Sequence, residues 1–125
     1  MKGIFVNQNG GIPYADLIVQ GYKRIETRNR NMLRDLVGGR VAIIKTRRQR
    51  QPVIVGYAKI ERAEYCPAKW FDGFRSETLI PPGSSYDCRG KGKWFYWMTW
   101  PTRCDPYPLP AHAIRHGRSW AKWDE

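Results

Sequence analysis

One short run of charged side chains has the residue types and spacing for chemistry. Lys23, Glu26 and Arg28 follow one another just after Gly21. An ammonium and a guanidinium can clamp a phosphate, while a carboxylate between them can accept an N–H of a base or orient a cation. The set therefore suits a nucleotide ligand. The same spacing is common in ion pairs on half-exposed strands, so spacing alone leaves both interpretations open.

The elements predicted around this run are a helix and a strand. After a first strand over residues 2–7, Pro13 lies near the first turn of a short helix that Gly21 ends in the left-handed conformation. From Arg24 to Arg28 the residues alternate as in a half-buried strand, with Ile25 toward the core and the charged residues on the other side. The helix and the strand would thus border one cleft.

Two further strands are predicted in the middle of the chain. Residues 41–45 are rich in β-branched side chains and indicate a strand buried on both faces. Residues 53–60 would pair with it as a hairpin across a polar, basic connection. Gly56 interrupts the second strand, as glycine does at a bulge or where another backbone comes close, and this suits the curl of a barrel.

The second half alternates between loops and one clear strand. Residues 66–74 indicate a short helix, and residues 94–100 a strand whose aromatic side chains mostly fill the core. From Pro101 to Pro110 the prolines predict no regular structure. Residues 101–125 thus form a proline-rich, basic and aromatic C-terminal segment, in which Trp120 and Trp123 are candidates for stacking on bases.

Length and charge define the class of protein. The 125 residues suit one domain covering residues 1–125, and 22 Lys and Arg against 11 Asp and Glu leave a formal charge of +11. So large an excess favours a polyanion such as nucleic acid as partner. No run reaches the roughly 20 apolar residues of a membrane helix, and the N-terminus lacks a secretory signal, so we expect a soluble, cytoplasmic protein without a membrane partner.

Cysteine and histidine give no sign of a cofactor site. Cys66, Cys88 and Cys104 are odd in number and widely spaced, as in reduced intracellular thiols. With His112 and His116 they would supply enough zinc ligands, but the spacing is unlike known zinc sites, so we predict neither a metal nor another cofactor. The two histidines remain candidates for general acid and base.

Basic residues also recur beside aromatic ones away from the first run. They cluster before Trp94, where Lys91 and Lys93 stand, at the hairpin tip and in the C-terminal segment; the candidate phosphate contacts in these last two places are Arg47, Arg48, Arg50, Arg115 and Arg118. Cations hold phosphates while exposed rings stack on unpaired bases. The alternative for the hairpin tip is a solvated loop.

The segment from Pro13 to Arg28, with its pattern P-Y-A-x-x-I-x-x-G-x-K-x-x-E-x-R, resembles the signature of the ASCH domain family, which is PUA-like. Residues 39–43 and 55–58 are similar to the strands that follow this motif in the family. The resemblance implies an α+β fold, a small PUA-like mixed β-barrel with one or two short helices beside it. It also implies a cleft lined by Lys23, Glu26 and Arg28, in a superfamily whose relatives bind RNA or modified bases.

Some members of this family are enzymes, which leaves activity open. In a branch that resembles an amidohydrolase acting on acetylated cytidine, a threonine nucleophile stands where this chain has Glu26, and alternation would point Thr27 to the opposite face. Another branch is described as ribonucleases, for which Lys23 and Glu26, with Tyr14 as a helper, are the candidate catalytic residues. We therefore expect an RNA-binding or nucleotide-binding protein, with an RNA-directed hydrolase as the alternative.

Overall fold

The chain forms one seven-stranded sheet and two short α-helices, described for all residues 1–125 in a computed structural model. In chain order the elements are β1 (Lys2–Asn7), α1 (Tyr14–Val19), β2 (Ile25–Arg28), β3 (Arg40–Thr46), β4 (Val53–Cys66), α2 (Arg75–Thr78), β5 (Lys93–Pro108), β6 (Ile114–His116) and β7 (Trp120–Lys122). Single 3-10 segments lie at Arg34–Leu36 and Ala68–Phe74. The predicted first strand, first helix and central hairpin are confirmed.

The sheet is mixed and open. Its strand order is β2-β5-β4-β3-β1-β7-β6, with β1 and β3 parallel and every other pair antiparallel. The predicted α+β class is confirmed, but the predicted closed barrel is wrong, because β2 and β6 remain as two separate edges. The backbone N–H of Arg24, just before β2, donates to the carbonyl of Glu77, so α2 covers the beginning of that edge.

Apolar side chains are buried on both faces of the sheet. The larger core lies under α1 and includes Ile4, Ile18, Ile25 and Ile43, while Ile44 belongs to a smaller core on the other face. Ile43 and Ile44 are neighbours on β3 and both are fully buried. This confirms the prediction that residues 41–45 are a strand buried on both faces, since successive side chains of a strand point to opposite sides.

At Gly56, helix α1 and strand β5 both lie close to β4. The register of β4 shifts beside Gly56 against both neighbouring strands, so the predicted bulge is confirmed. A Cβ at this position would stand 2.1 Å from the carbonyl oxygen of Thr102 and 2.8 Å from a methyl carbon of Val19. Only a residue without a side chain lets the backbone of β5 and the helix approach β4 so closely.

We expect Gly56→Ala to lower the free energy of unfolding by about 2 kcal/mol, because the added methyl group has no space and the neighbouring backbone must move. Gly73→Ala is the matched control, since a Cβ there would meet no atom within 4 Å. Urea unfolding of both variants measures the difference. Equal stability of the two variants would show that the close approach at Gly56 carries no energetic constraint.

The prediction that residues 101–110 lack regular structure is wrong. Strand β5 continues to Pro108 and pairs with β4 along the way, for example Thr102 with Tyr57 and Tyr107 with Ile54. Its other neighbour, β2, pairs only with residues 94–97 of β5. Beyond that point β5 is an edge strand, and an edge tolerates prolines because one side of the backbone needs no ladder hydrogen bonds.

The aromatic strand is packed as predicted for most of its length. Phe95, Tyr96 and Met98 are buried, whereas Trp100 is 79% exposed and has a φ of 52°, which ends the regular alternation. In the C-terminal segment Trp123 is buried in the smaller core, so its predicted role in base stacking is wrong.

No helix of the structure combines the length and apolar character needed to span a membrane.

Candidate functional site

Lys23 reaches the site because of how helix α1 ends. Gly21 has a φ of 85°, which confirms the predicted left-handed stop, and the backbone N–H groups of Tyr22 and Lys23 both donate to the carbonyl of Leu17 at 3.0 Å. The chain thus turns back across the end of the helix before β2 begins. This turn directs the Lys23 side chain into the interior.

The ammonium of Lys23 is buried beside several polar groups. The residue is 2% exposed, its Nζ donates to the carbonyl oxygen of Thr78 at 2.5 Å, and Glu26 Oε1 lies 3.8 Å away. The Tyr14 ring lies below it, with the centroid 4.7 Å from Nζ. Burial lowers the pKa of Lys23 from its ordinary value to about 8, although Glu26 acts in the opposite direction.

Glu26 and Arg28 form an ion pair on β2 next to this lysine. Arg28 Nη2 donates to Glu26 Oε2 at 2.9 Å and to the carbonyl oxygen of Phe5 on β1 at 2.7 Å. The second bond fixes the guanidinium against the neighbouring part of the sheet. Glu26 thus lies between two cations, one at each carboxylate oxygen, and the predicted trio of Lys23, Glu26 and Arg28 is one connected cluster.

The trio borders a cleft of about 200 Å³. Its charged lining residues are four cations and one carboxylate: Lys23, Arg28, Lys93, Arg118 and Glu26. Uncharged polar and aromatic groups complete the wall, including Tyr14, Asn29 and Tyr86. An excess of three positive charges around so small a cavity is the electrostatic environment of an anion site.

Lys93 is a charged cleft residue that the sequence alone did not assign to this site. It is 8% exposed, its Nζ donates to Asn29 Oδ1 at 2.7 Å, and it makes no ion pair within 4.0 Å. Burial lowers the pKa of its ammonium. The signal that places Lys93 here is the pairing of Arg28 with Trp94, which brings the ends of β2 and β5 together.

Two tyrosines lie together at the cleft. Tyr14 lies on the first turn of α1, and its hydroxyl donates to the carbonyl of Leu79 at 3.3 Å. Burial, and to a smaller extent the negative charge of Glu26, raise the pKa of Tyr14 to about 12. The Tyr86 ring lies 5.8 Å from the Tyr14 ring between centroids and is half-buried. Tyr14 is therefore held as a neutral hydroxyl, and Tyr86 offers part of an aromatic surface for a base.

A larger basic depression adjoins the cleft. This depression, which we call the arginine trough, has a volume of about 940 Å³ and contains four guanidiniums and no acidic residue: Arg47, Arg48, Arg115 and Arg118. Four residues border both spaces: Phe5, Asn7, Tyr86 and Arg118. The hairpin tip and the C-terminal segment, far apart in sequence, are thus brought to one surface.

Other predicted candidates lie elsewhere. Arg50 is exposed at the same hairpin tip as Arg47 but borders neither the cleft nor the trough. His116 stacks on Trp120 at 3.8 Å between ring centroids, and His112 Nε2 lies 3.4 Å from the carbonyl oxygen of Asp124. Neither histidine borders the cleft. No group of three His, Cys, Asp or Glu side chains is placed to hold a metal ion.

Thr27 follows Glu26 on β2 and also borders the cleft. Its backbone N–H donates to Glu26 Oε1 at 3.2 Å. The carboxylate of Glu26 therefore has a further donor beside Lys23 and Arg28, which fixes its orientation.

Comparison with solved structures identifies the fold of this chain. No family model and no curated protein matches the sequence. Among solved structures, the ASCH protein from Zymomonas mobilis aligns with a TM-score of 0.72 at 16% identity, covering 98% of this chain and 87% of that one. A tyrosine-to-phenylalanine mutant of the same protein aligns with a TM-score of 0.71 at 17% identity, covering 100% and 91%. The chain therefore has the fold of an ASCH domain, as the motif from Pro13 to Arg28 predicted.

Proposed function

We propose that this protein binds RNA or a nucleotide, with one nucleotide held in the cleft and the neighbouring backbone held in the arginine trough. The observation that carries the proposal is the cleft itself: four cations and one carboxylate around about 200 Å³, opening directly into a surface of four arginines. Phosphates are the anions that such repeated cationic surfaces hold best, because guanidiniums bind them through two parallel hydrogen bonds.

The charge of the cleft is held in place before any ligand binds. Lys23 and Lys93 are both at least nine-tenths buried. Burying a charged ammonium costs free energy unless a group of opposite charge pairs with it. Lys23 has only Glu26 as a charged partner, and that carboxylate is shared with Arg28. An anionic ligand would supply the missing negative charge, since two or more cations compete for one carboxylate.

Glu26 supports a nucleotide over a simple phosphate. A carboxylate in a phosphate site repels the anion, so its presence needs a different partner on the ligand. The N–H groups of guanine, cytosine and adenine are such partners. With Tyr86 at the edge of the cleft as a stacking surface, the site offers separate groups for a base and for a phosphate.

The proposal is tested by titrating the protein with a fluorescent 12-nucleotide single-stranded RNA at several salt concentrations. We expect a slope of log affinity against log salt of about −2 or steeper, because each phosphate contact on a single strand contributes roughly −0.7. Binding that is weak and independent of salt would overturn the proposal. Mass spectrometry of the RNA after incubation, in the same samples, detects any cleavage or base modification.

A second candidate function is RNA-directed hydrolysis, and one observation favours it. The pKa of about 8 leaves a fraction of Lys23 neutral near physiological pH, and a neutral amine can accept a proton. Glu26 lies 3.8 Å from that amine and Tyr14 lies beneath it, so the cleft holds groups for proton transfer. Cleavage of RNA by the wild type that is absent with the Lys23→Met variant would favour this candidate.

Removal of acetyl groups from modified cytidine has less support. That chemistry would use a hydroxyl nucleophile, and the motif position holds the carboxylate of Glu26. Thr27 borders the cleft, but the hydrogen bond found for it comes from its backbone and not from its hydroxyl. An unchanged mass of acetylated cytidine after incubation is therefore the expected result.

A further inference from the structure

A second basic surface adjoins the cleft. This surface, which we call the loop groove, has a volume of about 870 Å³ and is formed by the loop before β5 together with the segment that follows β2. Its cations are Arg30, Arg89, Lys91 and Lys93. The loop groove and the cleft share two lining residues, Asn29 and Lys93.

The cleft joins the loop groove to the arginine trough. The trough shares four lining residues with the cleft, the groove shares two others, and the trough and groove share none with each other. A ligand that leaves the cleft thus meets a basic surface by either exit. Net positive charge along both exits is the pattern of a path for a polyanion and not of a closed pocket for a free nucleotide.

The one carboxylate in the loop groove is already compensated. Asp87 is paired with Arg75 at 3.0 Å and accepts hydrogen bonds from the backbone N–H groups of Gly83 and Cys88. These bonds lower the pKa of Asp87 and hold its charge within the fold. Arg89 and Lys91 have no such partners within 4.0 Å, so their charges are free to meet an external anion.

Lys93 links the two spaces. Lys93 is buried, yet the only hydrogen-bond partner of its ammonium is the neutral side chain of Asn29. A phosphate at the boundary of the cleft and the loop groove would lie within reach of this ammonium. Such a phosphate belongs to the nucleotide in the cleft or to its neighbour on the groove side.

The cleft is too small to enclose a whole oligonucleotide, so most of such a ligand must lie outside it. A volume of about 200 Å³ is below the roughly 300–1,000 Å³ of sites that enclose a whole drug-sized ligand. The cleft therefore has room for no more than one unpaired nucleotide, and a base in a duplex would have to leave its partner first. This excludes an intact duplex as the preferred ligand.

We propose that the ligand of the cleft is an internal nucleotide of a single strand, whose backbone continues into the arginine trough on one side and into the loop groove on the other. This inference rests on the proposed function and deepens it. It assigns Arg89, Lys91 and Lys93 to the binding surface, and it makes a free mononucleotide or a strand end the poorer ligand.

The test compares three double variants for binding to a fluorescent 12-nucleotide single-stranded oligocytidylate, whose bases carry the amino group expected to meet Glu26. Arg89→Ser/Lys91→Ser alters the loop groove, Arg47→Ser/Arg48→Ser alters the trough, and Arg34→Ser/Lys69→Ser removes two exposed charges that border neither surface nor the cleft. All six positions are exposed, so the variants are expected to fold. Circular dichroism checks this before the titrations.

We expect the groove and trough variants each to lose about fivefold or more in affinity and to flatten the salt slope by roughly 1.4, which is two contacts at about 0.7 each. The control variant should keep the wild-type slope. Groove variants that bind like the control while trough variants lose affinity would overturn the two-sided path and leave the proposed function standing. Absence of salt-dependent binding by the wild type would instead overturn the proposed function itself. Equal binding of a 12-base-pair RNA duplex would overturn the assignment to a single strand.

Discussion

Replacing Lys23 with methionine is expected to weaken RNA binding by roughly 100-fold or more, about 3 kcal/mol, because a buried cation that meets a ligand phosphate contributes far more than an exposed one. Methionine has a similar length and keeps the packing against Tyr14 while removing the charge. The measurement is the dissociation constant for the same 12-nucleotide RNA at one fixed salt concentration.

Lys69→Met is the matched control for this substitution. Lys69 is exposed and borders none of the three basic spaces, so its loss removes one positive charge from the protein without touching the cleft. If both variants lose affinity equally, binding depends on net charge alone and the cleft is not the site. A Lys23→Met protein with wild-type affinity would exclude Lys23 from the ligand contacts.

The local parts of the fold could be predicted because their signals lie within a few residues. Pro13 and Gly21 bracket α1, and the β-branched run in residues 41–45 indicates a strand buried on both faces. In the same way, Lys23, Glu26 and Arg28 belong to one turn and one strand, so their closeness follows from spacing. A short-range pattern is enough to place a short-range cluster.

The rest of the site depends on contacts between distant parts of the chain. Lys93 reaches Asn29 because Arg28 pairs with Trp94, and no local pattern specifies that register. Arg118 reaches the cleft because β7 pairs with β1, which carries the hairpin of β6 and β7 to the mouth of the site. The carbonyl of Thr78 that holds Lys23 comes from the last residue of α2, 55 residues further along the chain.

The two structural predictions that were wrong share a cause. The prolines of residues 101–110 predict an end of regular structure, and the glycine at position 56 suits the curl of a barrel. Both depend on which strands are neighbours: prolines are tolerated where β5 has one neighbour, and the barrel stays open because β2 and β6 do not pair. Edge positions follow from strand order, which a single sequence does not display.

The buried lysine also leads to a pH effect on stability, for which the sign follows from proton counting. Burial lowers the pKa of Lys23 to about 8 from an ordinary value of 10.5 in the unfolded chain. Between these two values the unfolded state binds a proton that the folded state has released, so stability rises with pH there. Below about pH 8 both states are protonated, and the cost of burying the charge is present in full.

We therefore expect the free energy of unfolding of the wild type, relative to Lys23→Met, to rise by about 3 kcal/mol between pH 7 and pH 10.5. Methionine does not titrate, so the difference between the two proteins removes the contributions of groups that titrate alike in both. Urea unfolding of each protein at intervals of half a pH unit measures the difference. If the difference in unfolding free energy between the two proteins stays constant across this range, Lys23 keeps an ordinary pKa. The cleft would then hold a fully charged lysine with no neutral fraction to accept a proton. A rise that begins near pH 8 and levels off near pH 10.5 would instead link the stability of the fold to the same ammonium that we propose meets the phosphate. A ligand anion that holds the proton on Lys23 would offset the cost of burying the charge.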